Sequence, residues 1–307
     1  MSNKIDIRSL VIEADNELLE QGAKPFQRPL AACSMIANKL GTSFAIGGPP
    51  DPLVDAVHAI YERLYRKLDL LQPPLHVGVF MFRDVFIPIR IPIIYGQPGF
   101  SPVMLLNGEL SEEQEAWLFS DQLSGYTFFD QVIDLMDFVY GLDDYLQLSG
   151  DASRAVAFWQ IAKRQLEGAA ATLFGSFDQQ SIVQNSCIAV ELLLKGALLN
   201  HGFTEKELKN PKTFGHSLSA LAIEVNKCLP NIDGERIALV ADRLPHLVAN
   251  RYDGTQKSRR ELGGIAMNAQ YVAGEVLRQF STRNLRSSFA PDGDWNFRIR
   301  HYPRLEG

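Results

Sequence analysis

Residues 189–202, AVELLLKGALLNHG, are apolar almost throughout, yet Glu191 and Lys195 stand one helical turn apart in their middle. The pattern extends backwards and predicts a helix over 180–201. Ile188, Val190, Leu192, Leu193, Leu194, Leu198 and Leu199 leave only a thin polar stripe through Gln184, Glu191 and Lys195. A helix that is apolar round most of its circumference belongs at the centre of a bundle. Its two charges admit two readings. One is an exposed i,i+4 pair, worth a few tenths of a kcal/mol. The other follows from RIALVADRLPHLVANRYDG, residues 236–254, where Ile237, Val240, Leu244, Leu247 and Val248 define an apolar face. Continued at helical pitch, that face has Arg251 at its centre. An arginine aimed at a core needs an anion, because an unpaired buried charge is costly. The expectation is that Glu191 meets Arg251 inside the bundle and that Lys195 carries its stem outward.

Around that helix, residues 150–287 read as all helical, with helices over 152–173, 180–201, 216–229, 234–252 and 261–281. Their short Gly-, Pro- and Asn-bearing connections imply antiparallel packing. LSGD at 148–151 is the expected boundary, because the charge balance changes there. Residues 1–150 hold 10 Lys/Arg against 20 Asp/Glu, whereas 151–307 hold 20 against 16. The acidic half is unsuited to nucleic acid.

Residues 1–149 read as an α+β domain. Helices are expected near 7–21, 29–40 and 52–71, the last capped by Asp51 with Pro52 at its first position. The stretch HVGVFMFRDVFIPIRIPIIYG, 76–96, then changes period to that of a β-hairpin. Val85, Ile87, Ile89, Ile91 and Ile93 share one face, and Pro88, Arg90 and Pro92 take the other parity, as on a proline-protected edge strand. SEEQ at 111–114 is a capping box opening a helical stretch to about 149. Asp130, Asp134, Asp137, Asp143 and Asp144 within it read as a solvated face in preference to a metal cluster. The tail 288–307 alternates Trp295, Phe297 and Ile299 against Asn296, Arg298 and Arg300, which suggests a strand able to pair with the hairpin's free edge in preference to the nucleic-acid surface that aromatics interleaved with arginines also resemble. The expected fold class is therefore mainly α: a C-terminal helical bundle preceded by an α+β domain with a β-hairpin.

Cys33, Cys187 and Cys228 show no paired spacing, so a reduced cytoplasmic protein without a zinc site is expected. The N-terminus lacks the apolar core of a signal peptide, and no run of ~20 uninterrupted apolar residues is present. Neither G-x-x-x-x-G-K-[ST] nor G-x-G-x-x-G occurs, and no cofactor or metal is expected.

AVELLLKGALLNHG, followed by FGHSLSAL at 214–221 and ANRYDG at 249–254, resembles the HEPN domain, a small helical-bundle family, over about residues 152–285. The resemblance implies a structural signature of Glu191, Lys195, Gly215, His216, Arg251 and Tyr252. It also implies a place in prokaryotic defence or stress response, a homodimer, and RNA, a nucleotide or a protein as partner; the resemblance does not reach residues 1–149, which are expected to serve as a sensor or to engage a protein partner. Many members of the family are metal-independent ribonucleases using an arginine, four to six intervening residues, and a histidine. No histidine of this sequence follows an arginine at that separation. The expected role is therefore a non-catalytic binding or regulatory module. The alternative is a divergent metal-independent endoribonuclease, with His246 as general base and Arg243 or Arg251 stabilising phosphate.

Overall fold

The computed structural model describes residues 6–46, 49–94, 96, 101–106, 108–149, 153–246, 255–289 and 296–305. The chain divides into two compact units, Met1–Pro73 and Pro74–Gly307.

The first unit contains α1 (Ile7–Glu20), α2 (Arg28–Leu40), α3 (Pro52–Leu64) and the short α4 (Lys67–Leu70). Asp51 caps α3 as expected, its side chain accepting from the N–H groups of Leu53 and Val54. The helix expected to reach 71 stops at Leu64, because Tyr65 turns extended and its hydroxyl donates to the buried Asp15 at 2.5 Å. Val11, Leu18, Cys33, Ile36, Val57 and Tyr61 form this unit's core. Burial pushes the Cys33 thiol up to about 11.

The second unit opens with β1 (His76–Phe82) and β2 (Val85–Ile91), antiparallel with Val79 opposite Pro88. Ile87, Ile89 and Ile91 are buried on the expected face, while Val85 is exposed. Then follow α5 (Glu112–Ser120), α6 (Gln122–Ser149), α7 (Arg154–Phe174), α8 (Gln179–Asn200), α9 (Glu205–Lys209), α10 (Leu218–Cys228), α11 (Gly234–Arg243), α12 (Arg259–Arg278) and α13 (Leu285–Ser288). The stretch expected as one helix to 149 is two. At Asp121 the backbone turns extended, and the Asp121 carboxylate accepts from the N–H groups of Leu123 and Ser124 to start α6 afresh.

α8 is central, as its composition requires. It runs antiparallel to α7: Trp159 donates its indole N–H to the Leu193 carbonyl at 3.1 Å, and farther along Gly168 stands against Asn185. Gly196 makes room for that indole, since a Cβ there would lie 2.3 Å from Trp159 Nε1. By length and composition α8 could cross a membrane, but 72% of the qualifying stretch is buried inside the fold, the situation of a core helix.

The expected boundary at 148–151 lies inside this unit. α6 runs parallel to α12, with Gln131, Asp134 and Asp137 meeting Gln270, Gly274 and Arg278 in order. The Gln270 side chain also completes the hairpin. Its amide accepts from Val79 N–H and donates to the Val79 carbonyl, both at 2.7 Å. Those Val79 groups turn away from β2, so Pro88 opposite turns its nitrogen to the outer edge, as the proline parity predicts.

Three acids read as a solvated face are buried. Asp130, Asp134 and Asp137 are each at most 2% exposed; Asp143 alone of the five is exposed, and Asp144 is half-buried. They converge on arginines, and no group of three or more potential metal ligands occurs among the described residues. Arg300 grips Asp134 bidentately at 2.6 and 2.7 Å, and Arg278 reaches Asp134, Asp137 and Glu275 at 3.0, 2.7 and 2.6 Å. Arg286 pairs with Asp130 at 2.8 Å. Burial acts to raise the Asp134 carboxyl, but Arg300, Arg286 and Arg278 more than offset it and hold the group below its ordinary value. The charge shift near 150 thus marks two sides of one ion network.

The described part of the expected strand, residues 296–305, forms no strand; Trp295 lies outside the described residues. Residues 296–305 lie on α6, with Phe297 packed on Phe129 and the N–H groups of His301 and Tyr302 donating to Asp130. The edge of β1 is already taken by Gln270, and Arg300 is anchored by Asp134.

Candidate functional site

Lys195 and His216 meet at the carboxylate of Glu191. Glu191 is 7% exposed; its Oε1 accepts from Lys195 Nζ at 2.6 Å, and its Oε2 lies 2.9 Å from His216 Nδ1. A carboxylate only accepts, so Nδ1 carries the proton. Lys195 does not extend outward. It is 6% exposed and stays with Glu191, because leaving would strand a buried carboxylate. The loop before α10 delivers His216 through Gly215, whose φ is +52° and where a Cβ would stand 3.0 Å from Pro211 Cα. Ser217 then caps α10 by accepting from Ala220 N–H. Arg251 and Tyr252, and with them the expected Glu191–Arg251 pair, lie outside the described residues.

Lys195, Lys209, Phe214, Gly215, His216 and His246 border a cavity of about 380 Å³. Charge is balanced there, since Lys195 pairs with Glu191 and Lys209 with Glu205 at 2.8 Å. Two imidazoles near an ammonium could exchange a proton with a bound group or hold an anion.

Arg243 and His246, three residues apart in sequence, open on different cavities. The helix expected over 234–252 ends at Arg243, and Leu244 turns extended with ψ 136°. Pro245 imposes this, because its ring disfavours helical geometry in the residue before it. Its freed carbonyl is taken by the Cys187 thiol at 3.3 Å, and burial pushes that thiol up to about 12.

Arg243 borders a second cavity, of about 650 Å³, together with Arg83, Arg260, Arg304, Phe82 and Trp117. Apart from Arg243, sequence reasoning missed this set, which comes from the hairpin turn, α5, the start of α12 and the tail. One signal was available. Arg83 occupies a two-residue hairpin turn, a place where glycine or asparagine is usual.

Compared with known proteins, the chain matches no family model, no curated protein and no solved structure.

Proposed function

We propose that the chain is a HEPN-like protein acting as a non-catalytic binding module for a phosphate-bearing ligand. The observation that carries this is the separation of Arg243 from His246 onto different cavities. Cleavage through an RNA 2′-OH needs a base and a cation at the same phosphate; Arg243 does not supply that cation to His246, and the ammonium groups that share its cavity, Lys195 and Lys209, are taken by Glu191 and Glu205. Glu191, meanwhile, has both oxygens engaged by Lys195 and His216, the condition of a structural carboxylate. The meeting of the Glu–Lys helix with the Gly-His turn supports the family reading.

The test is incubation of the purified chain with single-stranded and with structured RNA, without metal, beside His246→Ala. Retention of uncut RNA by both proteins is the expected result. Cleavage by the wild type that His246→Ala abolishes would establish the nuclease reading instead.

A further inference from the structure

The geometry points to the arginine-lined cavity as a binding site for a nucleoside polyphosphate, a di- or triphosphate whose phosphates lie among Arg83, Arg243, Arg260 and Arg304 and whose base lies by Trp117. This deepens the binding reading above and rests on it only through Arg243.

Charge is the first support. None of the four arginines forms an ion pair among the described residues, and all four are exposed. The acid beside them is Asp121, which already accepts from Leu123 N–H, Ser124 N–H and the Ser124 hydroxyl as the cap of α6. Four guanidinium charges therefore border this cavity against the one carboxylate that lines it, with Asp84 in a neighbouring cleft beside Arg83 and Arg260. This contrasts with Arg278, Arg286 and Arg300, each of which has a carboxylate within 3.0 Å.

Placement is the second. Arg83 has φ +60°, a left-handed conformation that is unfavourable for a residue with a Cβ. Arg260 is the second residue of α12, where the helix dipole opposes a cation. Local structure disfavours both residues where they stand, while the cavity gives both a use. The Arg83 guanidinium lies 4.6 Å from the Trp117 ring centre and 5.9 Å from that of Phe82. Ring contact of this kind holds the group and leaves in-plane N–H donors for phosphate oxygens.

Shape selects the ligand. A volume of about 650 Å³ suits a small molecule. The arginines come from four separate segments and surround one concavity, as closely spaced phosphates require. A single-stranded nucleic acid asks instead for successive aromatic platforms along a groove. Here the exposed aromatic surface is concentrated in Trp117, which is 53% exposed. The hydroxyls of Ser120 and Thr127 border the same cavity.

The test is calorimetric titration of the full chain with ATP, GTP, inorganic tripolyphosphate and a ten-residue single-stranded RNA. ATP or GTP should bind one to one, more tightly than tripolyphosphate. Arg243→Gln and Arg260→Gln should each weaken nucleotide binding at least about tenfold, the loss of a charged hydrogen bond. Arg83→Gly should weaken it too while keeping or raising the melting temperature, because glycine adopts φ +60° freely. Lys227→Gln, on the exposed face of α10, should change nothing. Absence of saturable nucleotide binding, or affinity unchanged in the arginine variants, overturns the proposal. So does equal affinity for tripolyphosphate, which leaves the base without a role, or tighter binding of the RNA. RNA cleavage with nucleotide affinity intact would overturn the non-catalytic reading and leave this one standing.

Discussion

Asp134→Ala should lower the unfolding free energy by about 3–5 kcal/mol, the cost of breaking a buried ion network from one side. Asp134 is fully buried and takes both terminal nitrogens of Arg300 as well as Arg278. Without it, Arg278 keeps Asp137 and Glu275, but the nearest remaining carboxylate to Arg300 is Glu275 at 3.7 Å. Arg300 is itself 7% exposed, so water cannot easily replace what is lost. The urea midpoint reads this directly. The exposed pair Arg154–Glu205 provides the contrast, since its arginine is 62% exposed and Arg154→Ala should leave the urea midpoint nearly unchanged. Equal small losses at both positions would mean that the Asp134 cluster is hydrated and does not hold α6 to α12.

Gly274→Ala should be the next most damaging change, at the same helix pair. An added Cβ would stand 2.6 Å from both Asp134 Cα and the Asp134 carbonyl oxygen. Backbone cannot rotate aside as a side chain can, so α6 and α12 must separate. Overpacking of this kind costs about 1–3 kcal/mol, and alanine's better helix propensity returns up to about 1 kcal/mol. Separation also stretches the Asp134 ion pairs, so the net loss should lie near the upper end. Gly274→Ala and Asp134→Ala should therefore combine to less than the sum of their separate losses, because both act on one contact. Alanine tolerated at 274 without loss would contradict the close approach of these helices.

Much of the architecture is legible in the sequence because it is local. The apolar girth of α8, the Asp51–Pro52 start of α3, the Ser111 capping box and the parity of Ile87, Ile89 and Ile91 each follow from neighbours a few residues apart. The misreadings involve distant partners. Asp130, Asp134 and Asp137 look solvated because nothing nearby neutralises them: residues 101–150 contain ten acids and neither lysine nor arginine. Their arginines lie some 140 to 170 residues onward. The tail alternates like a strand, but Arg300 and Phe297 are drawn onto α6 by Asp134 and Phe129. At the candidate site, a continuous helix would have kept Arg243 and His246 on neighbouring faces. The break at Leu244–Pro245 sends them to different cavities, and the proline was the visible warning.

The charges of the second unit thus fall into two sets. Besides exposed pairs such as Arg154–Glu205, one set is buried and paired and holds the fold; the other, Arg83, Arg243, Arg260 and Arg304, is exposed around one cavity without an ion pair among the described residues, and it is the proposed ligand site. Arg300 and Arg304, four residues apart in the tail, belong one to each. The most direct test is thermal unfolding of the wild type and the Arg243→Gln/Arg260→Gln double variant, with and without saturating ATP. Ligand bound only by the folded state raises the melting temperature. The expected result is a wild type shifted upward by ATP, and a double variant that melts with the unliganded wild type whether or not ATP is present. A double variant that melts well below the wild type without ATP, or that keeps the full upward shift, would contradict the division.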